Sequence, residues 1–179
     1  MTQVGSVYAQ ALYDLAREEG LGKRILEELR ALNESFSQNP EYLRLLSTPN
    51  LSKDERIQIL DDGFKGKLQP YVLNFLKILT EKGYIGRFAD CCEVFRDLYN
   101  EDNGILPVRA VTAVPMTEAQ KKRLCEKLTG LTGKTIELQN VVDPECLGGV
   151  RLDYDGKRVD DTVQHRLDAV RSLLKNTML

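Results

Sequence analysis

Over roughly the first hundred positions, apolar side chains return every three or four residues, the period of a helix lying on a core. Val4, Val7, Tyr8, Ala11, Leu12 and Leu15 predict a helix from Val4 to about Glu19, after which Gly20 and Gly22 interrupt the chain. Leu21, Ile25, Leu29, Leu32 and Phe36 form one stripe of a second helix reaching about Asn39. Pro40 suits the first turn of a short third helix, PEYLRLL, because its missing N–H is an orphan there anyway. Ser52 with Glu55 three residues on is a capping-box pattern, which opens a fourth helix through about Gly63. Leu68 to Lys82, closed by Gly83, and Ile85 to about Asn100 read as the fifth and sixth. The expectation is a six-helix bundle with short loops.

After Asn103-Gly104 the period changes from helical to alternating, which places a domain boundary near residue 105. Ile105 to Val114 reads as a strand, and Thr117 with Gln120 caps a helix through about Leu131. TIELQNVV is a second strand, GGVRLDYDGKRVDD a hairpin, and Val163 to about Asn176 a last helix. Asp155-Gly156 fits a two-residue turn whose central positions both need positive φ. Folding about that turn sets Tyr154 opposite Lys157, Asp153 opposite Arg158, Leu152 opposite Val159 and Arg151 opposite Asp160. The fold class is therefore mainly α with a smaller α/β part: a helical bundle over 1–105 and an α/β domain over 106–179.

Composition narrows the function. A hydrophobic fraction of 42%, a charged fraction of 29% and a net charge of −2 describe an ordinary globular chain, without the basic surface that nucleic acid requires. No apolar run is long enough to span a bilayer, and MTQVGSVYAQ has no secretory pattern. Cys91, Cys92, Cys125 and Cys146 lack CxxC spacing and are expected to be reduced, core-forming thiols rather than metal ligands.

The stretch VVDPECLGGVRLDYDGKRVDDTVQHRL gathers a Cys, the single His and several Asp residues around paired glycines. Asp153, Asp155 and Gly156 do not match a calcium loop, since the Gly offset is wrong and the terminal Glu is missing. Cys146 and His165 could be drawn as nucleophile and base, but Cys146 sits on an apolar run. Gly148-Gly149 lacks the Lys and Ser/Thr of a phosphate-binding loop. The stretch reads as a structural joint, with no catalytic residue, metal or cofactor.

Helices one and five carry more apolar surface than one core needs, an arc on the order of 240° on the first where about 100° would serve. One side of helix one holds Val4, Val7, Tyr8, Ala11 and Leu15; the other holds Gly5, Ala9, Leu12, Tyr13 and Ala16. Such a helix is either central to the bundle or lines a groove for a partner's amphipathic helix.

YAQALYDLA, LNFLKILTEKGYIGRF and VDPECLGGVRLDYDGKRVDDTVQHRL, in this order and spacing, make the chain resemble the delta subunit of F-type ATP synthases, the family of the mitochondrial oligomycin-sensitivity-conferring protein. The resemblance covers essentially the whole chain. It implies a non-catalytic stator subunit, without cofactor, that joins the catalytic head to the peripheral stalk on the cytoplasmic face of a membrane. It implies that the N-terminal helix of an alpha subunit docks against helices one and five, in a groove of Tyr8, Ala9, Leu12, Tyr13 and Ala16 with Asn74 and Ile78 opposite. A charged residue at Ala9 or Tyr13 is then expected to block docking without unfolding the bundle. The C-terminal part is expected to meet the b subunits, with Asp143, Pro144, Gly148, Gly149, Asp160 and Arg166 as mainly structural signature positions. Val7, Asp161-Thr162 and His165 depart from the residues common in the family. An adaptor that binds a helix in an unrelated complex would share the groove but would not need the C-terminal signature.

Overall fold

The computed structural model describes residues 3–48 and 51–162. It is mainly helical with one small mixed sheet, and the chain divides into two compact units, 1–99 and 100–179. In order, α1 (Gln3–Glu18), α2 (Gly22–Gln38), α3 (Pro40–Ser47), α4 (Lys53–Phe64), α5 (Pro70–Glu81) and α6 (Phe88–Asp102) precede β1 (Ile105–Thr112), α7 (Glu118–Thr132), β2 (Thr135–Val142), β3 (Val150–Tyr154) and β4 (Lys157–Asp160).

The helix ends follow local chemistry. Ser52 accepts from the Glu55 N–H while the Glu55 carboxylate accepts from the Ser52 N–H, closing the expected capping box at α4. Hydrogen bonding from the Ser52 backbone N–H first, and from the Ser52 side chain second, holds the exposed Glu55 carboxyl below its ordinary range. Thr117 and Gln120 do the same for α7, and Gly133 ends it in the left-handed region at φ 69°. Helix five starts later than its apolar pattern suggests, at Pro70, because proline favours the first helical position. The backbone N–H of Gln69, just before that proline, donates to the Glu28 carboxylate of α2 at 2.8 Å. A negative group at a helix N-terminus is favourable, so α2 holds the start of α5. A Lys77–Asp61 ion pair at 2.7 Å ties α5 to α4. A single turn of 3-10 helix, Ile85–Arg87, precedes α6 where a continuous helix was expected.

The first unit's core is built as the pattern predicts for α2, which buries Ile25, Leu29, Leu32 and Phe36. α5 is broader, with Val72, Leu73, Phe75, Leu76, Leu79 and Thr80 all buried. Edge-on aromatic pairs lock the helices together: Tyr13 on Phe95 at 5.3 Å and Phe36 on Phe88 at 5.2 Å. Cys91 and Cys92 are buried beside them as free thiols, and burial pushes both up, Cys91 to about 11.

The second unit is a sheet in the order β2-β1-β3-β4, with β1 and β2 parallel and the other pairs antiparallel. The hairpin register is the expected one: Arg151 with Asp160, Leu152 with Val159, Asp153 with Arg158, Tyr154 with Lys157. Asp155 and Gly156 turn it with φ of 47° and 68°. Between β2 and β3 the chain makes a short 3-10 turn, Pro144–Cys146, that the alternation did not announce. The final helix read from Val163 onward, with His165 and Arg166, lies outside the described residues.

Two outcomes follow. Gly149 sits at φ 84°, and a Cβ there would run into the Asp161 carbonyl oxygen and the Thr162 backbone. Gly149→Ala is expected to cost the second unit about 2–4 kcal/mol, from a strained φ plus a backbone collision, read by denaturant unfolding. At pH 8 the native protein should leave Cys91 and Cys92 unalkylated by iodoacetamide, since the thiolate is the reactive form, and label both once unfolded; mass spectrometry of the labelled peptides decides.

Candidate functional site

The seven positions expected to form a groove on α1 and α5 do not share one environment. Ala9 and Ala16 are fully buried, and Leu12 and Tyr13 are 5% and 4% exposed. Spaced three, four and seven residues apart, these four make the stripe by which α1 enters the core. Their burial corrects the expectation that a charge at Ala9 or Tyr13 would be tolerated. An Asp at position 13 would place a carboxylate against Phe95 without a partner, and an Arg at 9 would find no volume. The small residues are there so that helices can approach closely, not to leave a hollow.

What remains outside is a different set. Tyr8 is half-buried, its ring 6.0 Å from that of Tyr84 in the turn after α5. Asn74 is exposed and Ile78 is 43% exposed, both on the outer side of α5. Val7 is 65% exposed and Tyr84 is also open, though neither stood among the groove residues. Val7 belonged to the half of the α1 arc opposite Ala9, and the period alone could not say which half would face inward. The Tyr8–Tyr84 contact joins α1 to the turn after α5, and Val7, Tyr84, Ile78 and Asn74 are accessible residues on these elements.

The C-terminal signature positions serve the joint. Asp143 caps the turn that begins at Pro144, its carboxylate accepting from the Glu145 N–H at 3.1 Å while its own N–H donates to Thr112. Cys146 is buried, and Leu147 follows in the left-handed region at φ 58° with its side chain exposed. Gly148 and Gly149 then lead into β3 past Asp161. Asp160 closes the other end: one carboxylate oxygen accepts from both the N–H and the hydroxyl of Thr162, at 3.0 and 2.7 Å. Arg166 lies outside the described residues. On the sheet face, Asp153 accepts from Arg158 Nε at 2.7 Å and lies 3.7 Å from Arg151 Nε. The carboxylate raises the Arg158 guanidinium above its ordinary value, through the hydrogen bond first and its charge second. These groups consume one another's charge. Val114 and Leu147 are exposed apolar residues near the end of the sheet where β1 and β2 finish.

The chain matches the family model for the ATP synthase delta (OSCP) subunit over residues 4–174. A protein of Desulfitobacterium hafniense strain Y51, ATP synthase subunit delta, is 32% identical over 169 residues, covering 94% of each chain. The subunit of the same name from Alkaliphilus oremlandii is 32% identical over 176 residues, 98% of each chain, and that of Clostridioides difficile strain 630 is 29% identical over 98% of this chain and 97% of its own. Among solved structures, a chain of the Toxoplasma gondii mitochondrial ATP synthase hexamer superposes with a TM-score of 0.75 over 97% of this chain and 98% of its own, at 19% identity, a likeness of fold. With a family model spanning nearly its whole length and relatives above 30% identity end to end, the chain belongs to the ATP synthase delta (OSCP) subunit family.

Proposed function

We propose that this chain, as a peripheral-stalk subunit of an F-type ATP synthase, performs no bond chemistry and works by holding two partners at once. The helical unit, read as a six-helix bundle, takes the N-terminal amphipathic helix of an alpha subunit on the outer face of α1 and α5. The second unit meets the b subunits of the stalk. The subunit is peripheral to the cytoplasmic face of the cell membrane, attached through the complex; among the described residues no helix is long and apolar enough to cross a membrane.

The observation that carries the first contact is the exposed apolar set Val7, Ile78 and Tyr84 beside half-buried Tyr8, on two helices that the family resemblance singles out. Burying a Val or Ile side chain contributes about 1.5–3 kcal/mol, so a few such anchors supply the central part of an interface. A nanomolar contact amounts to about 12 kcal/mol, which an interface of roughly 800 Å² per partner can provide. Two modest contacts in one chain also reinforce each other by raising each unit's effective concentration at its partner. For the second contact, exposed Val114 and Leu147 offer apolar anchors near one end of the sheet. The reading of an adaptor for an unrelated complex is not favoured, since it has no use for the matched C-terminal segment.

Calorimetric titration of the full chain with a peptide carrying the alpha subunit's N-terminal helix tests the placement. Ile78→Asp and Val7→Asp should each weaken binding by about 2 kcal/mol, roughly thirtyfold, with unchanged circular dichroism. Tyr13→Asp should instead lose helical signal and cooperative unfolding. Full affinity in both surface variants would move the docking site elsewhere.

A further inference from the structure

The helical unit carries a cavity of about 600 Å³ lined by residues of α2, α3 and α4 and of the Asn39 joint between the first two. Cavities of about 300–1,000 Å³ suit a small organic ligand. The apolar wall is aromatic. Phe36 and Tyr42 stack at 5.7 Å with their planes 18° apart, and Phe64 stands nearly perpendicular to both, at 82° and 87°. The three rings form a right-angled corner. Phe36 backs it, almost closed off from outside, while half-buried Tyr42 and Phe64 present its accessible part.

The polar part of the lining has one sign. Glu41, an exposed residue, supplies its only charge. Among the described residues Glu41 makes no ion pair or hydrogen bond, and the Tyr42 hydroxyl has no hydrogen-bond partner. Lys67 is not part of the lining; its ammonium donates to the Gly63 carbonyl at 3.0 Å. The N-terminus of α3 adds about half a positive charge, which the full charge of Glu41 outweighs. Gly63 is a third feature. It lies inside α4 without a positive φ, and a Cβ there would meet only the Tyr42 hydroxyl, at 3.4 Å. Glycine weakens a helix relative to alanine, and no backbone need offsets that here. What its bare Cα does is leave the cavity open beside Tyr42.

We propose that this cavity binds a small organic cation with an apolar body, an aromatic or alkyl amine. Its charged head would sit beside the Glu41 carboxylate and against the ring faces, which carry the negative end of the aromatic quadrupole. Its body would fill the corner above Gly63. An anion of the same size would meet Glu41 and the same ring faces as repulsion. The cavity shares no residue with the α1 and α5 surface, so failure here leaves the stator reading untouched.

The test is a titration of the full ¹⁵N-labelled chain with benzyltrimethylammonium, followed by amide shifts. Saturable shifts centred on Tyr42, Gly63 and Phe64 are expected, with a Kd of about 1 mM or tighter for a ligand of this size. Benzenesulfonate, the matched anion, should bind at least about tenfold more weakly. Glu41→Gln should weaken the cation about threefold, whereas Glu18→Gln, exposed and outside the lining, should leave its affinity unchanged. Gly63→Leu should fill the cavity and abolish binding. If that variant loses circular dichroism, the two glutamate variants and the ion comparison decide. Shifts that never saturate or lie elsewhere, equal binding of both ions, or indifference to Glu41→Gln would each overturn the proposal.

Discussion

The first unit depends on how closely α1 lies in the core. Ala9 and Ala16 are fully buried with Leu12 and Tyr13 between them, so the helix backbone itself comes near its neighbours. A methyl group is as large a side chain as such an approach admits, and protein interiors leave few voids to absorb anything bigger. Once α1 is seated, Tyr13 meets Phe95 of α6 edge-on and Tyr8 reaches the turn after α5. α5 is then fixed from a second direction by the Glu28 carboxylate at its N-terminus and from a third by the Lys77–Asp61 pair. α5 and its two ends are thus held by contacts with three separate helices. If a partner docks there as proposed, its anchors need no prior ordering, which removes part of the entropic cost of association.

The second unit uses other means, because its helix α7 contributes no fully buried residue. Polar bonds carry the specification there. Asn140 donates to the Ala110 carbonyl and the Thr112 hydroxyl, at 3.0 and 2.9 Å, and accepts from the Met116 N–H. One side chain therefore joins β2 to β1 and to the loop that follows β1. Asp153 and Arg158 fix the hairpin's register on one face while Leu152 and Val159 align on the other. A slip by one residue would exchange these faces at once.

Much of this was legible in the chain. Capping boxes at Ser52 and Thr117, the Asp155-Gly156 turn and the stripe of α2 are local patterns, set by residues at most a few turns apart, and the structure repeats them. What the pattern could not separate was inward from outward on a helix that is apolar nearly all round. Ala9 and Tyr13 on one side of α1, Val7 on the other, are equivalent by period, and only the packing of α5 and α6 distinguishes them. The 3-10 turns at Ile85 and Pro144 escaped for a related reason: three residues are too few to establish a period, and tertiary contacts decide their shape. The Glu28–Gln69 bond joins residues 41 apart, a distance at which no local signal acts.

The closure at Asp160 to Thr162 has a mechanical meaning. A hairpin drawn apart at its open end yields one rung at a time, at a force far below that needed to slide two strands past each other. In this sheet that open end lies where β3 begins and β4 finishes. There Gly149 packs on Asp161 and Thr162, Asp160 grips Thr162, and the Asp161 N–H donates to Val150. Tension arriving along the chain beyond Thr162 meets this latch before it reaches any ladder bond of β4. The weakest direction of the hairpin thus carries its own fastening.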